Sequence, residues 1–268
     1  MDRKEILLSP IKIGTRKCEN RFFIQPMECT DADTEGNPSD LTYQRYENLF
    51  KGEAGLVCLE AITITDKNRS RMNQLFIMPQ NQPALTKFVA KLRSVNPKTL
   101  FIFQLTHSGE LSNPEFSKRL SVKPLPGFEA DVFTEDEFEK IMADFVLAAK
   151  IAYDSGADGI DMKFCHGYLG SQILRPYNTR KWKYGGPWEN RRQFAFDLYE
   201  RIRRRAAEEK RSISAEVVDL LQAGLETTPS ASELQDYYRR LDEFREKTQG
   251  LWGPVDAVED VREDRESH

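Results

Sequence analysis

The strongest constraint on this chain is a rhythm. Short runs of apolar residues without polar alternation are separated by stretches with helical hydrophobic spacing. Residues 55–64, 100–105 and 159–162 read as strands buried on both faces, the pattern of a parallel sheet rather than of a sheet with one wet face. Between them, residues 41–51 carry Leu41, Tyr46, Leu49 and Phe50 at helical spacing and are ended by Gly52; residues 83–95 carry Leu85, Phe88, Val89 and Leu92 on one face. Thr134-Glu-Asp-Glu137 is a capping box opening a third helix, with Phe138, Ile141, Met142, Phe145, Leu147 and Ala148 as its stripe and Asp154-Ser-Gly156 as its end. Residues 188–205 make a fourth helix. Upstream, residues 8–14 and 21–25 flank the turn-like segment 15–20 and read as a hairpin leading into a first strand, 22–25, which Pro26 terminates.

Strand and helix thus alternate four times, which implies an α/β fold with right-handed crossovers. Four βα units are half of a TIM-type (β/α)8 barrel. In such barrels the reactive groups sit at the C-terminal ends of the strands. Asp158-Gly-Ile-Asp-Met-Lys-Phe-Cys-His-Gly-Tyr168 places Lys163, Cys165, His166 and Tyr168 just past the strand at 159–162. Taken singly, each is an ordinary loop or core residue. Together at one strand end they form a candidate site.

Composition narrows the partners. A formal net charge of -4 carries no global nucleic-acid footprint, so any DNA contact is local. No apolar run reaches the 18 or so residues of a membrane span, and the start lacks the charged, apolar and small regions of a secretory signal; a cytoplasmic chain is expected. The four cysteines, Cys18, Cys29, Cys58 and Cys165, form no C-x-x-C pair, and there are only three histidines. Reduced thiols and no metal site are expected.

Residues 5–204, about three quarters of the chain, resemble the old yellow enzyme family of FMN-dependent NAD(P)H oxidoreductases. The likeness rests on motifs in register: Leu8-Ser-Pro-Ile-Lys-Ile-Gly14 with Asn20-Arg-Phe22, Pro26-Met27, residues 55–61, Gln104-Leu-Thr-His107-Ser-Gly109, and His166-Gly-Tyr168-Leu-Gly-Ser-Gln172 through Tyr184-Gly-Gly186 and Glu189-Asn190-Arg191. The resemblance implies an eight-stranded α/β barrel, FMN as cofactor, NAD(P)H as reductant and a small-molecule substrate, an electron-poor alkene or related acceptor. It implies that Gln104 hydrogen-bonds the edge of the isoalloxazine, with the backbone at Pro26, Met27 and Ala61 along its other edges. Lys163 and His166 stand where the family keeps a donor pair for a substrate carbonyl or nitro oxygen, which stabilises the developing oxyanion. Tyr168 stands where it has the proton donor to the α-carbon. The chain departs from the family at two of these places. Lys163 replaces the usual His, so it suits an anionic substrate group or reduced flavin. Glu28 replaces the Thr or Cys that tunes a flavin carbonyl, and a carboxylate there opposes the charge gained on reduction. Cys29, one place on, reads as a core thiol.

After Arg204 the barrel pattern stops, and strands five to eight, whose last loops commonly hold the phosphate, are not legible. Residues 197–207 followed by 211–221 resemble the two helices of ribbon-helix-helix antitoxins, and residues 256–265 the tail with which such antitoxins hold their toxin. Ser230–Glu233 is a second capping box before a helix bearing Leu234, Tyr237, Tyr238, Leu241 and Phe244. Arg201, Arg203, Arg204 and Arg205 read as a solvated helix end before a phosphate patch. An antitoxin of this kind needs residues 190–196 as a strand. The expectation is therefore a half barrel at 1–204 and an all-α extension at 205–268, joined inside the helix at 188–211. A truncated or recombined oxidoreductase of this form needs a second copy or a partner chain to cover its open edges. The alternative is a DNA- or toxin-binding module at the C-terminus with the half barrel as passenger.

Overall fold

The structure, a computed structural model, describes residues 2–127, 129–208 and 239. The chain divides into two compact units, Met1–Ser214 and Ala215–His268. Apart from Arg239, the second unit lies outside the described residues, as do the antitoxin-like segment 211–221, the capping box at 230–233 and the tail 256–265.

The described part begins with α1 (Arg3–Leu8) and an antiparallel hairpin, β1 (Ile11–Ile13) with β2 (Arg16–Cys18). The hairpin's second strand thus falls inside the segment read as a turn, because Gly14 at φ 58° makes the reversal one residue earlier. β3 (Phe23–Ile24) follows, then α2 (Asp40–Lys51), β4 (Leu56–Thr63), α3 (Gln82–Val95) and β5 (Leu100–Thr106). A small parallel pair, β6 (Leu120–Ser121) with β7 (Asp131–Val132), precedes α4 (Glu135–Asp154), β8 (Gly159–Met162), α5 (Leu169–Leu174) and α6 (Trp188–Glu208). β6, β7, α1 and α5 carry too few residues to leave a periodic pattern in the sequence. α2 and α4 start where their caps say: the Ser39 side chain accepts from Thr42 N, and Thr134 from Glu137 N.

β3, β4, β5 and β8 form one sheet in that order, every pair parallel, with Val57 beside Phe101 and Gln104 beside Asp161. This is the α/β parallel sheet the rhythm implied. Its core is aromatic. Tyr46 and Phe50 of α2, Phe88 of α3, and Phe101 and Phe103 of β5 are buried and meet largely edge to face, Phe50 on Phe101 at 5.3 Å. Each such ring contributes about 1.5–3 kcal/mol by burial. A second cluster, Phe133, Phe138, Trp182, Tyr184 and Phe194, ties α4 to α6 and to the loop before it.

Three burial expectations are corrected. Leu41 is 65% exposed and Leu147 is 42% exposed, so each lies off its helix's buried stripe. β8 is half-buried along its length rather than buried on both faces; among the described residues it ends the sheet, with β5 as its one neighbour. In α6, Arg201 and Arg203 pair with Glu139 and Glu200 at 2.6 and 2.8 Å, as a solvated helix end would. Residues 190–196 are helical within α6. No helix among the described residues is long and apolar enough to cross a membrane.

Candidate active site at the C-terminal end of the sheet

Lys163 N donates to Leu105 O at 3.0 Å, carrying the β5–β8 ladder one residue past β8. The chain then reverses through two consecutive left-handed residues, His166 (φ 54°) and Gly167 (φ 74°). A histidine held there costs about 1–3 kcal/mol, so its surroundings must over-determine it. They do so through Gln172, whose Nε2 donates to Gly167 O and Ser108 O and whose Oε1 accepts from Glu110 N. Leu169 N donates to His107 O at 3.0 Å, docking the start of α5 on the loop after β5.

This turn points Tyr168 back over the end of the sheet, where it is 6% exposed, as is Lys163. The Tyr168 hydroxyl donates to Glu28 Oε2 at 2.9 Å and lies 3.0 Å from Ser70 Oγ. Lys163 Nζ stands 3.5 Å from the same Glu28 oxygen and 3.8 Å from the centre of the Tyr168 ring. Arg71 Nη1 faces the other Glu28 oxygen at 3.7 Å, an ion pair longer than a hydrogen bond. Burial first, and the Glu28 charge second, push the Tyr168 phenol up to about 12, so it stays neutral across the physiological range. Glu28, Ser70, Arg71, Leu111, Lys163, His166 and Tyr168 line one cavity of about 400 Å³. A larger cavity of about 510 Å³ lies at the opposite ends of the strands, among Glu19, Lys51, Glu53 and Lys98. It gathers backbone and loop side chains with no convergent reactive pair, and the site is assigned to the smaller one.

Glu28 is held in place from beneath. Glu60, the one charged residue in the apolar run of β4, is buried; its Oε2 accepts from Cys29 N at 3.1 Å and its backbone N–H donates to the Tyr46 hydroxyl at 2.7 Å. Arg45 bridges Glu60 and Asp31, reaching the Asp31 oxygens at 2.9 and 3.0 Å. Burial pushes the Glu60 carboxyl up, and Arg45 opposes that rise. Cys29 is exposed, which corrects its reading as a core thiol: the backbone of this residue is tied to β4 while its side chain is left outside.

Of the other residues singled out from the sequence, Gln104 is buried and its Nε2 donates to Asp161 Oδ2 at 2.6 Å. Ala61 is buried with its carbonyl accepting from Gln74 Nε2 at 3.3 Å. Pro26 is half-buried, and Met27 is 73% exposed. Cys165 is exposed and takes no part in the cavity. Among the described residues no group of His, Cys, Asp or Glu is arranged to hold a metal. Sequence reasoning missed Ser70, Arg71, Leu111, Asp161 and the Asp31–Arg45–Glu60 network. Two of these had a signal: a charge inside an apolar strand, as at Glu60, demands a buried partner, and Asp161 lies two residues from Lys163, on the same face of β8.

The family model of the NADH:flavin oxidoreductase / NADH oxidase family matches residues 6–252. The chain belongs to this family. Among similar members, an NADH oxidase of Thermoanaerobacter brockii is 28% identical over 212 residues, 76% of this chain and 32% of the relative. An NADPH dehydrogenase of Clostridium acetobutylicum is 30% identical over 191 residues, 69% of this chain and 56% of the relative. The old yellow enzyme homologue from Zymomonas mobilis superposes with a TM-score of 0.67 at 23% identity, over 73% of this chain and 59% of that one. Morphinone reductase in complex with tetrahydroNAD superposes with a TM-score of 0.66 at 22% identity, over 73% of this chain and 60% of that one. These superpositions show the fold. The chain spans less than two thirds of each relative's length. Because the family match runs on to residue 252 and residues 190–196 are helical, the antitoxin-like reading of the C-terminal region is not supported.

Proposed function

We propose that this chain acts as an FMN-dependent NAD(P)H oxidoreductase of the old yellow enzyme type, reducing an electron-poor alkene or a related acceptor. The observation that carries the reading is the convergence of a neutral, buried phenol and a buried ammonium on one cavity at the C-terminal end of a parallel sheet. Members with NADH oxidase and NADPH dehydrogenase activity support a nicotinamide reductant.

The donor set fits the ring of a flavin through two side chains. Gln104 both donates and accepts along a heterocycle edge. Lys163 would set a cation near the charge a flavin gains on reduction. Pro26, Met27 and Ala61 would contribute backbone to the same flavin site. Glu28 does not fit as donor to a flavin carbonyl, since a carboxylate has no proton to give and its oxygens face Lys163, Tyr168 and Arg71. A flavin held by these residues would supply the hydride chemistry. Lys163 and His166 donate to the acceptor's oxygen and stabilise the negative charge that develops on it. Tyr168 protonates the α-carbon, and its high pKa keeps the proton in place until that carbon becomes basic.

In this reading the four βα units are half of a barrel. Among the described residues β3 and β8 end the sheet, and in this reading a second copy or a partner chain packs against those edges. No specific observation favours a DNA or toxin partner. The test is direct: titrate the purified chain with FMN, follow the flavin spectrum, then reduce the complex anaerobically with NADH and with NADPH. Absence of FMN binding at high micromolar concentration sinks the proposal. With FMN bound, Tyr168→Phe is expected to slow acceptor reduction by about 100- to 10,000-fold and to leave FMN affinity unchanged. An unslowed variant would remove Tyr168 from the mechanism.

A further inference from the structure

We infer that Glu28 is a positioning residue, which holds the Tyr168 phenol and the Lys163 ammonium in one arrangement instead of touching the flavin. The inference takes its catalytic meaning from the function proposed above, while its geometry stands independently.

One carboxylate oxygen serves both partners. Glu28 Oε2 accepts the phenolic proton at 2.9 Å and lies 3.5 Å from Lys163 Nζ, while the ammonium rests 3.8 Å above the phenol ring. Lys163, one residue past β8, and Tyr168, just before α5, share one loop, whereas Glu28 follows β3 far away in sequence. Their meeting is therefore a tertiary arrangement, and the carboxylate is its common member. A lysine has four rotatable bonds and loses rotamer entropy when it is held in one place, a loss its contacts must offset. The carboxylate and the ring confine it from two sides. Tyr168 is confined as well, since its ring is buried and its oxygen is fixed between Glu28 and Ser70. Only the hydroxyl proton can turn, about the Cζ–O bond. The proton donor thus waits with its oxygen already placed and its proton parked on Glu28.

The charged and titratable groups sharing Tyr168's cavity are Glu28, Arg71 from the loop after β4, Lys163 and His166. Glu28 raises the phenol's pKa and Arg71 lowers it. In Glu28→Gln the amide oxygen still accepts from the phenol, but the charge is gone. The experiment is nuclear magnetic resonance of the full-length chain, without flavin, carrying tyrosine labelled at Cζ; the Tyr168 resonance is the one missing from Tyr168→Phe. Glu28→Gln is expected to lower the pH at which Tyr168 ionises by about 1 unit or more, and Glu28→Asp to restore part of the shift. An unchanged titration overturns the inference. In the unmodified protein, acidification far enough to protonate carboxylates is expected to move the same resonance, and a flat acid limb overturns the inference even if the variants do not fold. With FMN bound, Glu28→Gln is expected to move the alkaline limb of kcat downward by a similar amount, with no change in KM for the reductant. Failure of FMN binding with the resonance shift intact would refute the flavin reading alone. FMN binding with no resonance shift would refute the role of Glu28 alone.

Discussion

Removing Arg45 probes the support beneath the site. Its guanidinium makes two hydrogen bonds to Asp31, contacts Glu60 and lies 4.6 Å over the Tyr46 ring. The Glu60 side chain is 1% exposed, and the Asp31 and Arg45 side chains 13% and 24%, so solvent screens this network little. In Arg45→Met the aliphatic stem is largely kept and the charge is lost. Glu60 would then be a buried carboxylate left with the Cys29 N–H as its remaining side-chain partner. Stranding one member of a buried ion pair costs about 3–5 kcal/mol, and the lost contact with the Tyr46 ring adds about 0.5–1 kcal/mol. Protonation of Glu60 caps the loss, because each pH unit between its pKa and the assay pH costs about 1.4 kcal/mol. Burial already raises the Glu60 pKa, and losing Arg45 raises it further. A raised carboxyl pKa means the folded state binds more protons, so stability falls as pH rises through that pKa. The penalty is therefore expected to be about 3–5 kcal/mol at about pH 7 and clearly smaller at about pH 5. Urea unfolding at the two pH values measures it, and Arg45→Met combined with Glu60→Gln should recover most of the loss. A penalty below about 1 kcal/mol, or one that does not shrink in acid, would refute the picture of a desolvated network. Because Cys29 N is tied to Glu60, the same variant should also disturb the Tyr168 resonance through Glu28.

Two further expectations concern stability. Burial pushes His107 down to about 3, and its Nδ1 accepts from Gly109 N, so it folds as a neutral ring. The unfolded chain binds its proton near the ordinary value of 6.5, so stability present above that pH drains away as pH falls toward 3, by a few kcal/mol, on the order of 1.4 per pH unit. Denaturant titrations of His107→Asn should show a shallower acid slope than the unmodified protein; equal slopes would exclude His107 as the cause. Gly170→Ala tests the packing of α5 on the end of β8. An added Cβ would lie 2.1 Å from Phe164 Cδ1 and 2.7 Å from the Lys163 carbonyl oxygen. Overpacking of about 1–3 kcal/mol outweighs the helix-propensity gain of about 1 kcal/mol, so thermal unfolding should move to lower temperature and the Lys163–Tyr168 arrangement should loosen.

The class of fold was readable because it depends on patterns local to each element. Buried parallel strands announce themselves as unbroken apolar runs, and α4 begins at the capping box read for it. Lys163, His166 and Tyr168 were legible as site residues because they follow one strand in close succession, and the structure does bring all three to one cavity. Glu28 was legible as a departure from the family motif, but not as a partner of Lys163 and Tyr168. Those contacts span 135 and 140 residues, and no local pattern encodes them. Ser70 and Arg71 come from a loop that carries no periodicity at all.

By itself, then, the sequence determined the alternation of strand and helix, the parallel sheet, and the placing of reactive groups at the end of its last strand. These follow from hydrophobic period and capping, which act over a few residues. Tertiary structure alone decided what each reactive group faces. The phenol, the ammonium and the two guanidinium groups find their carboxylates only when α2, β4 and the loops after the strands come together. Burial and the Glu28 charge, which together lower the acidity of Tyr168 and, for the charge, orient Lys163, act only once that closure has occurred.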